Sequence, residues 1–173
     1  MPEIREFMKQ FYILDDWVRQ FLIVGEEEAL LIDTGVEESH VAEAVRQITS
    51  LPVRVVLTHG DHDHAGGLGR FFACNDHAKV YARPSAGGAY FSTSLGEPRF
   101  IGVSRDVWEG QRERFETPEG LFQLFDGAWL VPETVHGGPF ASRETNLLRQ
   151  EAAGGFVPDD FSHEHSLVLE GSR

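Results

Sequence analysis

The chain is 173 residues long, and its 41% hydrophobic and 25% charged residues are typical of one soluble globular domain spanning residues 1–173. The formal net charge of −13 disfavours nucleic-acid binding, because an acidic surface repels a phosphate backbone. No apolar run approaches the ~20 residues that cross a bilayer, so a membrane protein is also disfavoured.

Two further features predict where the protein resides. Residues 1–6 lack the basic end and the apolar stretch of a secretory signal. A lone Cys74 excludes an internal disulfide and is compatible with a reducing compartment. We therefore expect a cytoplasmic protein in which Cys74 is a small buried apolar residue.

The first third of the sequence predicts a strand–helix–strand unit. Between the strands, Val41, Ala44, Val45 and Ile48 lie on one face of an amphipathic helix. This order is typical of a βαβ unit in an α/β layered fold. The apolar runs predict strands at 11–14, 21–24, 29–32 and 53–57.

The rest of the chain gives weaker signals. Asp126-Gly127 is a good hairpin turn, and Ser104 can cap a short helix. We predict an irregular stretch at 132–160. The other predicted elements are a helix at 68–74, a strand at 78–82, a helical turn and loop at 84–98, and a last strand at 166–170.

Ligand-type side chains are concentrated in residues 58–67, which we call the His/Asp loop. It reads Thr-His-Gly-Asp-His-Asp-His-Ala-Gly-Gly and follows the buried strand predicted at 53–57. Loops at the carboxyl ends of strands in an open α/β sheet are where ligands bind. Burying three imidazoles and two carboxylates unpaired would be costly, and a solvated turn has no need of them. A bound metal would account for them.

The loop resembles a known signature. Its His59-x-Asp61-x-Asp63-His64 core followed by Gly-Gly is similar to the His-x-His-x-Asp-His motif of the metallo-β-lactamase fold superfamily. The upstream strand ending in Asp33-Thr34-Gly35 also resembles that superfamily, and a helix separates the two motifs as expected. The resemblance implies an α/β sandwich of four layers, αβ/βα, with one or two metals at the sheet edge.

The resemblance also implies a role for each ligand. His59 and Asp61 would hold one divalent metal, and Asp63 and His64 the second. Asp63 would also be catalytic, because in many members the equivalent carboxylate steers the nucleophile. Asp33 would orient a ligating imidazole.

Asp61 departs from the commonest pattern, which has histidine there. Shifting the register so that His62 and His64 form the His-x-His pair would place Gly66 and Gly67 at the Asp-His positions, so the shift fails. A carboxylate ligand makes the site harder, so Fe or Mn compete with Zn, the expected metal. His62 falls between ligand positions and is expected to face solvent.

The implied activity is metal-assisted hydrolysis of an ester, lactone or phosphoester-type small molecule. An anionic substrate is compatible with the acidic chain, because divalent cations invert the local field. Two alternatives stay open. The first is a catalytically incompetent fragment with a partial metal site, and the second is a di-iron redox member of the superfamily.

Residues 159–168 resemble a narrower pattern, the Asp-x-Phe-x-x-Glu-x-x-Leu-Val segment of the dihydropterin-type synthase branch. In that branch a further strand and a loop with the next metal ligand follow. Because the sequence stops at Arg173, we expect the bridging Asp and final His beyond it and a domain incomplete at its C-terminus. The last strand leaves an unpaired edge, so a homo-oligomer is a hypothesis.

Other histidines are weaker candidates. His136 is the best internal substitute for a missing ligand, although a loop histidine is the preferred interpretation. His163 and His165 have period-two spacing, which predicts one face of a strand and would allow both to ligate, but the branch pattern assigns this segment to the pocket rather than the metal site. His40 and His77 are expected at the surface.

Overall fold

The computed structural model describes residues 1–132 and 146–170. No helix within them has the length and apolar character of a membrane span. The helices are α1 (Val41–Ile48), α2 (His62–Ala65), α3 (Leu68–Cys74) and α4 (Arg105–Gly110). The strands are β1 (Glu3–Met8), β2 (Phe11–Asp15), β3 (Arg19–Val24), β4 (Ala29–Ile32), β5 (Val53–Val56), β6 (Lys79–Tyr81), β7 (Tyr90–Ser92), β8 (Arg99–Phe100), β9 (Phe115–Glu116), β10 (Phe122–Phe125), β11 (Ala128–Pro132), β12 (Leu147–Gln150), β13 (Phe156–Pro158) and β14 (His165–Leu169).

The largest sheet has seven strands in the order β1-β2-β3-β4-β5-β6-β9. Its first four strands pair antiparallel, whereas β4, β5, β6 and β9 pair parallel. The parallel pair β4 and β5 is joined through α1, so the predicted βαβ unit is confirmed. Because parallel strands end at the same edge, the loops after β4, β5 and β6 meet there.

Both faces of this sheet are covered. On one face, Leu31 and Val55 pack against the apolar sides of α1 and α3. On the other, Leu30 and Val56 meet Leu130 and its neighbours from a three-stranded sheet, β10-β11-β14. Neighbouring residues of β4 and β5 therefore point into opposite cores, which explains their uninterrupted apolar runs. The predicted α/β layering is confirmed, and the described residues form three of the layers: helices, sheet and sheet.

Several local predictions are confirmed. The helix at 68–74 is α3, and Ser104 caps α4 by accepting a hydrogen bond from the Val107 N–H at 3.4 Å. The hairpin β10–β11 turns at Asp126-Gly127, where Gly127 has a φ of 80°. Cys74 is half-buried against the core rather than fully buried.

The predictions for 84–98 and 132–160 were incomplete. The first has the expected helical turn at Pro84–Gly87 but also contains β7, and the second contains β12 and β13. Together with β8, these three strands form a four-stranded sheet in the order β13-β12-β7-β8. Each has at most four residues, and β12 and β7 are far apart in sequence, so no local hydrophobic period reveals them. Strand β1 was also missed, since its side chains are mostly exposed at the sheet edge.

Candidate metal centre

Asp33 connects the end of β4 to the His/Asp loop. Its backbone adopts a φ of 63°, and its buried carboxylate accepts hydrogen bonds from the Thr58 N–H and Oγ1–H, both at 2.8 Å. The same carboxylate lies 2.7 Å from His64 Nδ1. A proton on Nδ1 satisfies this contact and leaves Nε2 of His64 free to bind a metal. The geometry therefore matches the orienting role predicted for Asp33.

The Gly-Gly pair lets the loop approach β4. A Cβ on Gly67 would lie 2.2 Å from Thr34 O, and one on Gly66 would lie 2.4 Å from His62 O. With glycine there, the Thr34 N–H donates to His64 O at 2.7 Å, and the Gly67 N–H donates to Gly35 O at 2.9 Å. The glycines of the motif are therefore required by backbone packing.

The structure brings all four predicted ligands together in two overlapping groups. His59, Asp63 and His64 each offer a ligand atom within 4.8 Å of the other two. His59, Asp61 and His163 form the second such group. The His59 and His64 rings are 3.9 Å apart between centroids. Coordination by the four residues stays a prediction.

The donor atoms fit a divalent cation. Asp61 is buried, and its Oδ1 has no hydrogen-bond partner among the described residues. Burial raises the pKa of Asp61 to about 6. Burial, together with the nearby His64, lowers the pKa of His59 to about 4, so its imidazole is neutral at pH 7. An unpartnered buried oxygen beside a neutral imidazole is an arrangement that a bound cation would stabilise.

His64 has the opposite pKa shift. Burial alone would lower its pKa, but the hydrogen bond to Asp33 and the surrounding carboxylates raise it above the usual 6.5. Protons therefore compete with a metal for His64 more strongly than for His59.

The remaining histidines divide as follows. The His62 side chain is exposed, as predicted, and the His62 backbone N–H donates to Ile101 O at 2.5 Å. His136 lies outside the described residues. The prediction that His163 and His165 share a strand face was wrong, because β14 begins at His165 and His163 lies in the preceding turn. His163 instead reaches the His/Asp loop, a contact that the sequence alone did not indicate.

The fold and the site define a layered α/β protein with a cluster of metal-ligand side chains at the carboxyl edge of its main sheet. A family model described as the metallo-beta-lactamase superfamily matches residues 18–145, and the chain belongs to that superfamily. The resemblance seen in the sequence is thereby confirmed. The narrower dihydropterin-type branch stays a prediction. No curated protein matches the chain.

Solved structures show the same fold at low sequence identity. Tm1679, a metal-dependent hydrolase of the beta-lactamase superfamily, is 21% identical at a TM-score of 0.68, over 90% of this chain and 55% of its own. A B3 metallo-beta-lactamase with an active-site glutamic acid is 14% identical and has a TM-score of 0.55. The match covers 86% of this chain and 56% of the other. A HARLDQ-motif mutant of a metallo-beta-lactamase from Cronobacter sakazakii is 17% identical and has a TM-score of 0.53. The match covers 89% of this chain and 62% of the other. The chain thus spans 55–62% of the length of these structures.

Proposed function

We propose that this chain is a metal-dependent hydrolase whose metal site is formed by the His/Asp loop. His59, Asp61, Asp63 and His64 would hold divalent metal, and the substrate would be a small ester, lactone or phosphoester. The observation that carries the proposal is the buried Oδ1 of Asp61, which has no hydrogen-bond partner in the described part of the chain and lies in a cluster of imidazoles and carboxylates.

The site residues divide the work of hydrolysis. A bound divalent metal would supply positive charge that lowers the pKa of a bound water far below its usual value and polarises the substrate oxygen. Asp33 holds His64 with Nε2 available, 3.7 Å from an Asp63 oxygen. Asp63 has a side chain that is 45% exposed, so it can accept a hydrogen bond from an attacking water.

The choice of metal follows from the donor set. Two carboxylates and two imidazoles form a mixed oxygen and nitrogen site, which Zn, Fe and Mn can all occupy. Zinc is the first candidate, because imidazole and carboxylate ligands are common in catalytic zinc sites. The chain spans only 55–62% of the length of the solved structures. We therefore propose, and do not infer from those structures, the substrate, any further ligands and the second metal.

Metal titration of wild-type protein and the His64→Ala variant tests the site. The His62→Ala variant is the matched control, because His62 lies in the same loop but is exposed. We expect wild type and His62→Ala to bind zinc with similar affinity, and His64→Ala to lose most of it. Equal and negligible zinc binding by all three proteins would overturn the proposal.

Hydrolysis of bis-p-nitrophenyl phosphate and of a simple lactone by the zinc-loaded protein tests the activity. We expect turnover by wild type and the His62→Ala control, and none by His64→Ala. Stoichiometric zinc without turnover of these substrates would favour the fragment with a partial site. Iron retained through purification, together with a reversible redox signal, would favour the di-iron alternative.

A further inference from the structure

We infer that His163 is a positioning residue that holds the His/Asp loop in its metal-binding conformation. It does so through the backbone N–H of Gly60, which lies between the ligands His59 and Asp61. The inference rests on the proposed metal site, and it concerns a residue outside the superfamily motif.

Both ring nitrogens of His163 are in use. The side chain is fully buried, and its Nδ1 lies 3.1 Å from the Gly60 N–H. Its Nε2 lies 3.0 Å from Asp159 Oδ2. A backbone N–H can only donate, so Nδ1 is the acceptor and Nε2 carries the proton that it donates to Asp159. The Asp159 carboxylate therefore selects the tautomer that can hold Gly60.

Asp159 is itself fixed by a local turn. Its Oδ1 accepts a hydrogen bond from the Phe161 N–H at 2.9 Å. Phe161 adopts a φ of 55°, a conformation that a bulky residue rarely takes and that surrounding contacts must hold. This turn directs the chain so that His163 faces the His/Asp loop.

A second contact holds the loop on the other side of His59. The backbone N–H of His165 donates to Thr58 O at 3.0 Å. His163 and His165 thus hold the backbone at Gly60 and Thr58, the two neighbours of His59. Fixing both neighbours restricts the backbone that aims the His59 imidazole.

Gly60 is enclosed from two directions. A Cβ there would lie 2.6 Å from Ala86 O, so only glycine fits between Ala86 and His163. The His163 ring packs on Tyr90 with centroids 4.0 Å apart, and the Tyr90 hydroxyl donates to Ser85 O at 2.9 Å. Aromatic packing and hydrogen bonds therefore prevent the His163 ring from turning away.

The same geometry disfavours His163 as a metal ligand, although it lies within 4.8 Å of His59 and Asp61 ligand atoms. Coordination needs a free nitrogen lone pair, and the Nδ1 lone pair already accepts from Gly60. Binding a metal through Nε2 would displace the proton given to the buried Asp159. Either change leaves a buried polar group without its hydrogen bond, so that its desolvation is no longer compensated.

Two substitutions separate positioning from ligation. His163→Asn keeps an oxygen near the Nδ1 position that can accept from the Gly60 N–H, but it removes the imidazole. His163→Phe keeps an aromatic ring on Tyr90 and accepts nothing. By competition titration with zinc, we expect His163→Phe to bind 10–100-fold more weakly than wild type. His163→Asn should bind within about threefold of wild type.

Metal-free protein gives an independent readout. In wild type, nitrogen NMR should show His163 protonated at Nε2, and the Gly60 amide should exchange slowly with solvent. Slow exchange should persist in His163→Asn and be lost in His163→Phe. Circular dichroism and thermal melting check that both variants remain folded.

Each outcome is decisive. Equal, large losses of zinc affinity in both variants would identify His163 as a ligand and overturn the inference. Wild-type affinity in His163→Phe would also overturn it while leaving the proposed function intact. If wild type binds no zinc, the proposed function fails, and the inference that rests on it fails as well. Slow exchange of the Gly60 amide in that protein would then show that the hydrogen bond to His163 is present and that the metal site is what is missing.

Discussion

The two regions that meet at the site, the His/Asp loop and the Asp159–His165 segment, use the same residue types differently. The loop's imidazoles and carboxylates are crowded, partly exposed and incompletely hydrogen-bonded. In the segment, Asp159 and His163 are fully buried and paired with each other. Residues that bind a ligand need unused lone pairs, whereas residues that support them need every polar atom satisfied. A histidine in the sequence therefore indicates a ligand only when its neighbours leave a nitrogen free.

The contrast extends within the segment. His163 and His165 are both buried, with exposures of 1% and 6%. The ring nitrogens of His163 are both hydrogen-bonded, whereas those of His165 make no hydrogen bond of normal geometry with the described residues. We therefore expect substitutions of these two histidines to act differently. Replacing His163 should weaken the metal site, and replacing His165 should raise the free energy of unfolding.

The largest expected effect comes from displacing Gly60, the point at which the two regions are hydrogen-bonded. The Cβ of Gly60→Ala would collide with Ala86 O at 2.6 Å, and a backbone atom cannot move away cheaply. We expect a loss of about 3 kcal/mol in the free energy of unfolding, measured with denaturant. Gly69→Ala is the control, because its Cβ would meet only Val107 Cγ2 at 3.4 Å. It should stabilise α3 by about 0.5 kcal/mol. Equal effects of the two substitutions would contradict the packing at Gly60.

The next effect tests whether Asp61 is kept for binding rather than stability. Burial raises its pKa from 3.8 to about 6, so its charge at pH 7 destabilises the metal-free fold. Asp61→Asn should raise the free energy of unfolding at pH 7 by about 2 kcal/mol in the presence of a chelator. The difference should shrink as the pH falls from 6 to 3.8, where wild-type Asp61 becomes neutral in both states.

Asp63→Asn is the matched control for this measurement. The Asp63 side chain is 45% exposed, so its charge stays solvated and its removal should change stability little. Both substitutions should weaken zinc binding. A stability gain at Asp63 equal to that at Asp61 would show that burial is not the cause.

A smaller effect concerns the pH dependence of metal binding. Metal must displace protons from His64, whose pKa is raised, and from Asp61, whose pKa is about 6. Zinc affinity should fall about tenfold per pH unit once His64 is protonated, and more steeply below pH 6. Titrations between pH 5 and 8 measure the slope. In Asp33→Asn the fall should begin at lower pH, and an unchanged midpoint would contradict the role of Asp33.

The smallest expected effect tests His165. His165→Leu should raise the free energy of unfolding at pH 7 by about 1 kcal/mol, because it removes a buried imidazole that makes no hydrogen bond of normal geometry with the described residues. Burial and the nearby Arg83 lower the His165 pKa from 6.5 to about 4. Protonation therefore destabilises the fold as the pH falls through this window, and the gain should grow between pH 6.5 and 4. Zinc affinity should stay near wild type, and a tenfold loss would assign His165 to the site.

The sequence predicted the half of the fold in which local pattern and tertiary contacts agree. β4, α1, β5 and α3 were recognisable because each buries a continuous or periodic apolar face in one core. The His/Asp loop was recognisable because ligand chemistry concentrates within ten residues. Strands β7, β12 and β13 were not, since each is short and depends on a partner distant in sequence. The role of His163 was hidden for the same reason.

The hydrogen bond from Gly60 to His163 joins residues 103 positions apart. Contacts of such long range form late in folding, because a large loop must close first. The contacts of the His/Asp loop with Asp33 and Thr34 span about thirty residues and can form earlier. Gathering the ligands and aiming the His59 imidazole therefore carry different loop-closure costs, and the aiming contact closes the longer loop.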